Sequence, residues 1–175
     1  KTWKYVSTIA EVKSDNPVGE GFDESSMVLL NDGRLFCVMR TGHTSPFFCS
    51  WSSDQGKTWT EPSYMGIPRG CLPRLLKLKD GRLVLSYGVR HTIGEGIGAP
   101  GARPKPDWTW GRIMYLALNP DGKGRWWHPA PVGWKKDSRC SGYTTIFEVE
   151  PNIIFYFVDN WFWRIMLMPK VPNRC

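Results

Sequence analysis

Four side chains carry the chemistry this sequence is equipped to perform: Glu24, Tyr143, Arg40 and Arg90. A phenol, with a pKa of about 10, is a poor nucleophile and becomes useful when a neighbouring carboxylate takes its proton during attack. Guanidinium groups are planar forks that match a carboxylate in paired hydrogen bonds. An acid, a phenol and two forks around one opening could therefore attack or bind an anionic ligand. His91 adjoins Arg90 and could line the same rim, and Arg74 is a rival for the place of Arg90. These residues are scattered along the chain, so a fold must gather them.

A repeat supplies that fold. Short β-rich runs broken by Gly, Pro, Asn and Asp fill the chain, and no long window has a helical period. Three passes share one plan: an apolar run, a tight turn, a second run, a third run, and then a Trp-bearing turn. In the first, Ser25 to Leu30 leads through Asn31-Asp32-Gly33 to Leu35–Met39 and Phe47–Trp51. In the second, Leu75 to Leu78 leads through Asp80-Gly81 to Leu83–Tyr87 and later to Ile113–Leu118. The third runs Thr144–Val149, Pro151-Asn152, Ile153–Val158 and Phe162–Met168. Asp-Gly between apolar runs marks a hairpin, and its recurrence at residues 32 and 80 sets a period near 48 residues. That length suits a four-stranded propeller blade. The expectation is an all-β chain with 1–10 ending an earlier blade (4–10 its outer strand), blades at 11–67 and 68–134, and at 135–175 a blade without its outer strand. Gly94 to Trp110 reads as a loop inserted in the second blade.

The run Ser52-Ser-Asp-Gln-Gly-Lys-Thr-Trp59 is the best-formed of the Trp-bearing turns. Asp54 can bond backbone amides, Gly56 can take a positive φ, and Trp59 can fold back as an apolar plug. These residues are assigned to structure. Asn119 to Trp126 reads as a decayed copy, and Lys1-Thr2-Trp3 repeats the end of the motif.

Register places the candidate residues. Eight positions before Asp32 stands Glu24, and eight before Pro151, which fills the same turn position, stands Tyr143. Both open an innermost strand, and in a propeller such starts crowd one mouth of the central channel. Arg40 and Arg90 lie near the ends of second strands, which chain reversal returns to that mouth.

Composition sets wider bounds. The 175 residues, 41% apolar and 14% aromatic, suffice for a packed core, and 18 glycines and 14 prolines supply its turns. A net charge of +7 suits an anionic partner, but no Lys/Arg block of the nucleic-acid kind occurs. No stretch nears the roughly 20 apolar residues that span a bilayer. Neither nucleic acid nor membrane is therefore an expected partner, and no metal or other cofactor is expected either, since no Asp-x-Asp-x-Asp loop appears. Five cysteines, 37, 49, 71, 140 and 175, without a Cys-x-x-Cys pair read as buried thiols. One bridge between Cys37 and Cys49 is still open, and the compartment with it, a secreted or extracytoplasmic site being the expectation.

Together the turn at 52–59, the segment from Glu24 through Asp-Gly-Arg-Leu to Arg40, Leu83-Val-Leu-Ser-Tyr-Gly-Val-Arg90 and Cys140-Ser-Gly-Tyr143-Thr-Thr cover most of the chain. In these it resembles the C-terminal half of a sialidase, or of the wider sialidase-like propellers with Asp-box repeats. The resemblance implies a six-bladed propeller represented here by about three four-stranded blades. It also implies an exo-acting retaining hydrolase that removes a terminal sialic acid or similar acidic sugar from a glycoconjugate. Tyr143 would be the nucleophile, Glu24 its base partner, and Arg40 and Arg90 two of three arginines that hold the substrate carboxylate. A neutral phenol avoids the repulsion that a carboxylate nucleophile would meet from that substrate. The family's remaining arginine and acid/base aspartate lie in blades outside this sequence. Asp23 is expected to point to the opposite side of its strand and to be a poor substitute. The alternative is a glycan-binding or scaffold propeller without catalysis, and open blade edges leave room for association with other chains.

Overall fold

The structure, a computed structural model, describes residues 2–13, 20–42, 45–67, 70–92, 110–120, 126, 129–135, 142–158 and 161–168. Strands form where the apolar runs were read. β1 (Asp23–Leu29), β2 (Leu35–Arg40), β3 (Phe48–Ser52) and the two-residue β4 (Ser63–Tyr64) make a first sheet in chain order. β5 (Gly70–Lys77), β6 (Leu83–Thr92), β7 (Trp110–Asn119) and β8 (Ala130–Lys135) make a second. β9 (Thr144–Glu150), β10 (Ile153–Val158) and β11 (Trp161–Met166) make a third, whose β11 is an edge among the described residues. Every pairing is antiparallel, and no helix occurs among the described residues.

The hairpin turns explain the regular spacing. Gly33 and Gly81 both take φ of 85°, and Asn152, a residue that tolerates this region, takes 66° at the equivalent place. Asp32 Oδ1 accepts the Arg34 N–H at 3.1 Å, and Asp80 Oδ1 accepts the Arg82 N–H at 3.1 Å. Leu30 N–H to Arg34 O, 2.8 Å, is matched by Leu78 N–H to Arg82 O, 2.9 Å. The two turns are the same object built twice.

The turn after β3 closes on Asp54. Its Oδ1 accepts the Thr58 N–H at 2.9 Å, the Lys57 N–H at 3.1 Å and the Ser52 hydroxyl at 2.8 Å, while Oδ2 accepts the Thr58 hydroxyl at 2.7 Å. The Thr58 amide and hydroxyl, then Ser52 and Lys57, favour the ionised form and hold the Asp54 carboxyl at about 2. Ser52 pairs with Leu35 and Asn119 with Leu83, so Asn119 opens the second such turn in the same register.

Alternate side chains of each strand face a neighbouring sheet. Phe36, Val38 and Phe47 of the first sheet meet Leu85, Tyr87 and Val89 of the second, while Val84 and Met114 meet Ile146, Ile154 and Tyr156 of the third. β1 lies beside β5 and β5 beside β9. The first strands are thus neighbours in a propeller-like stack, which brings their starts together.

One expectation is corrected here. Residues 4–10 form no strand, since an outer strand needs a hydrogen-bonded neighbour and among the described residues this segment has none. Instead Ser7 donates to Gly56 O and accepts the Trp59 indole N–H at 3.2 Å, tethering the segment to the Asp54 turn. Cys37 and Cys49 stand diagonally, opposite Ser50 and Val38, and are buried thiols with no bridge between them, in line with the reading of buried thiols; Cys71 is buried as well. Burial, with Cys49 nearby, pushes the Cys37 thiol up to about 12, and burial also raises Cys49. Cys140, Cys175 and the 93–109 part of the inserted loop lie outside the described residues.

Candidate active site

Glu24 is the second residue of β1, where the β1–β2 register slips between Asp23 and Ser26. At this bulge Glu24 takes φ of 37°, a left-handed conformation that costs a side-chain-bearing residue of order 1–3 kcal/mol. Leu72 occupies the same position in the second sheet: it stands eight before Asp80, in the slip between Cys71 and Arg74, with φ of 42°. Tyr143 comes immediately before β9. The three equivalent positions meet on one carboxylate. Glu24 Oε2 accepts the Leu72 N–H at 2.7 Å, and Oε1 accepts the Tyr143 hydroxyl at 2.9 Å.

Two glycines and a hydroxyl pair hold Tyr143 in place. A Cβ on Gly88 of β6 would lie 2.1 Å from Gly142 O, so only glycine lets the chain entering β9 approach so closely. On the other side of Tyr143, Thr144 and Ser86 share a buried hydrogen bond of 2.8 Å. Tyr143 is 42% exposed and so can be reached by a ligand.

Arg40 ends β2 and reaches the same cluster. Its guanidinium lies 3.0 Å from Glu24, 3.1 Å from Glu20 and 3.8 Å from Asp23, and its side chain is only 7% exposed. The expectation that Asp23 points away is overturned. The bulge at Glu24 breaks strand alternation, so two consecutive acids approach one arginine. Glu20 was not foreseen, since nothing in its spacing marks it; Leu72 was in reach of the same eight-residue count. To receive a ligand carboxylate, Arg40 must exchange one of its acids, and Glu20, the most exposed of the three, is the one most easily replaced by water or ligand.

Arg90 stands less simply. Counted from Leu35 and Leu83, the equivalent of Arg40 is Gly88, and Arg90 lies two residues further along β6, opposite Arg112 of β7. The side chains of Arg90, His91 and Arg112 lie outside the described residues. Arg74 is exposed on β5, opposite Ser86. Among the described residues, no group of three or more His, Cys, Asp or Glu is placed to hold a metal ion.

No protein-family model matches the chain, and no curated protein sequence does. Two solved structures are similar in fold, and a third aligns more loosely. A protein of unknown function from Dyadobacter fermentans has 23% identity over 79% of this chain and 34% of its own, with a TM-score of 0.50. A Hadza microbial sialidase has 18% identity over 80% of this chain and 29% of its own, with a TM-score of 0.52. A Penicillium chrysogenum alpha-L-arabinanase, complexed with arabinobiose, has 16% identity over 77% and 40%, with a TM-score of 0.48. The chain thus spans about a third of the length of the first two. At such identities the likeness is one of fold, a stack of antiparallel sheets of the propeller kind.

Proposed function

We propose that this chain belongs to a six-bladed propeller and carries part of a retaining exo-glycosidase site for a terminal sialic acid or a similar acidic sugar. The observation that supports this reading is the 2.9 Å hydrogen bond from Tyr143 to Glu24, made across 119 residues at the starts of two first strands. In the proposed reaction the phenol oxygen bonds to the anomeric carbon as its proton passes to Glu24, and the bond to the leaving oxygen breaks with its electron pair. Water then displaces the phenol, which takes its proton back from Glu24, while the attacking water's surplus proton goes through solvent to the departed oxygen. Leu72 N–H and Arg40 hold that carboxylate in position against the phenol. Arg40, after yielding Glu20, and Arg90 would hold the sugar carboxylate.

A second reading, a non-catalytic glycan-binding or scaffold propeller, draws on one observation: Arg40 is nearly buried and already surrounded by three acids. An aryl sialoside separates the readings, because its phenolate leaving group barely needs an acid. We expect slow release of the phenol, abolished in Tyr143→Phe. Binding without turnover in the parent protein would favour the module, and sialic acid binding unchanged by Arg40→Ala would leave only the scaffold.

A further inference from the structure

Leu72 stands at a costly place for a leucine. It sits in the bulge of β5 with φ of 42°, a left-handed conformation that Cβ sterics disfavour and that glycine or asparagine takes readily. Its amide donates to Glu24 Oε2 at 2.7 Å, but a glycine would offer the same N–H without the strain. The backbone therefore leaves the leucine unexplained. Packing leaves it unexplained too. Cys71 and Pro73 on either side are buried, whereas Leu72 is only partly so, and among the described residues it joins neither of the two cores. Strain held at a residue with no share in the core points towards function.

Glu24, Leu72 and Tyr143 hold the same position in three successive sheets, and the side chains of the outer two meet through the 2.9 Å bond from phenol to carboxylate. Leu72 is the middle member, with its amide on the other oxygen of that carboxylate. The side chains gathered there are otherwise polar: Glu24, Tyr143 and Arg40, with Glu20 and Asp23 beside the guanidinium. A pocket for a sugar needs apolar surface against the C–H groups as well as polar groups that orient the ring. Leu72 is the apolar residue at this position.

We propose that Leu72 is a specificity-determining residue, whose side chain forms an apolar wall of the mouth and packs against the carbon next to the anomeric centre of the sugar. This rests on the glycosidase reading and narrows its substrate to deoxy-ulosonic acids, keto-acid sugars with a methylene beside the anomeric carbon, of which sialic acid is one. The phenol attacks the anomeric carbon, so a leucine beside the phenol and its carboxylate meets what that carbon bears. In sialic acid it bears the ring oxygen, the leaving oxygen, a carboxylate and a methylene. Arg40 suits the carboxylate, and of the four groups only the methylene is apolar. A sugar with a hydroxyl there would bury it against the leucine without a hydrogen-bond partner, and is disfavoured for that reason. A glycine at residue 72 would relieve the bulge and lose the wall.

Calorimetric binding of sialic acid, and of an analogue hydroxylated at that methylene, tests this on the 175-residue chain and on Leu72→Gly, Leu72→Asn and Leu72→Met, with melting temperatures alongside. Glycine and asparagine suit the backbone and remove the apolar wall, while methionine keeps it. We expect the parent to prefer sialic acid to the analogue about tenfold. Leu72→Gly and Leu72→Asn should bind sialic acid about tenfold less tightly and lose most of that preference, with Leu72→Asn melting no lower than the parent. Leu72→Met should stay within about threefold of the parent. Unchanged sialic acid binding in the glycine and asparagine variants overturns the proposal and leaves the glycosidase reading standing. A lowered melting temperature in Leu72→Asn also overturns it, because the leucine would then be packing the fold. A parent protein that binds neither sugar fails the glycosidase reading itself, and the proposal falls with it.

Discussion

The turn around Asp54 and the cluster around Glu24 are both built on a carboxylate that accepts backbone and hydroxyl hydrogen bonds, yet they depend on the chain in opposite ways. Asp54 binds Ser52, Lys57 and Thr58, two to four positions away. Glu24 binds Leu72 and Tyr143, 48 and 119 positions away, in two other sheets. The first is a local device that stiffens one hairpin. The second exists only while three sheets are stacked, so it reports on tertiary structure and is free to serve chemistry. A change at the rim should lower stability and spare any reaction, and a change at the mouth should do the reverse.

The sharpest way to break this contrast is Glu24→Gln, which keeps shape and removes the base. We expect turnover of an aryl sialoside to fall about 10²–10⁴-fold with the melting temperature close to that of the parent. A variant that unfolds but retains specific activity would reverse the roles of mouth and rim.

Next in size is a comparison within the rim itself. Arg34 and Arg82 make the same bonds to Asp32 and Asp80, but Arg34 is 39% exposed while Arg82 is 3% exposed and also donates to Met168 O at 2.6 Å and to Asn152 Oδ1. Arg82→Ala should therefore cost about 3 kcal/mol in urea unfolding, because it strips a buried ion pair and the link to the third sheet. Arg34→Ala should cost no more than about 0.5 kcal/mol. Equal losses would show that the second turn is as local as the first.

The smallest expected effect is in acid. Asp54 titrates at about 2 in the folded chain, below the roughly 3.9 of an unfolded aspartate. Its stabilisation is complete above about pH 4 and is lost as pH falls through 2. The melting-temperature difference between the parent and Asp54→Asn should be flat above pH 4 and shrink towards pH 2. A difference that persists undiminished at pH 2 would remove the carboxylate's charge from the account of the turn.

Much of the architecture was legible because its signals are short-range. Asp-Gly at 32 and 80 fixed the period, alternation fixed which faces meet, and an eight-residue count put Glu24 and Tyr143 at equivalent strand starts. Residues 4–10 misled because β propensity says nothing about whether a neighbouring edge is present. Asp23 misled because strand alternation fails at a bulge, and no residue type announced the left-handed turn at Glu24.

The sequence by itself determined the repeat, the turns and the identity of the groups at the strand starts, since each follows from contacts a few residues long. Only the tertiary structure decided that Leu72 offers its amide to Glu24, that Arg40 sits among three acids, and that Gly88 admits Gly142 so that Tyr143 reaches its carboxylate. Those contacts depend on how one sheet leans on the next. That angle is set by the packing of whole cores, which no short window of sequence contains.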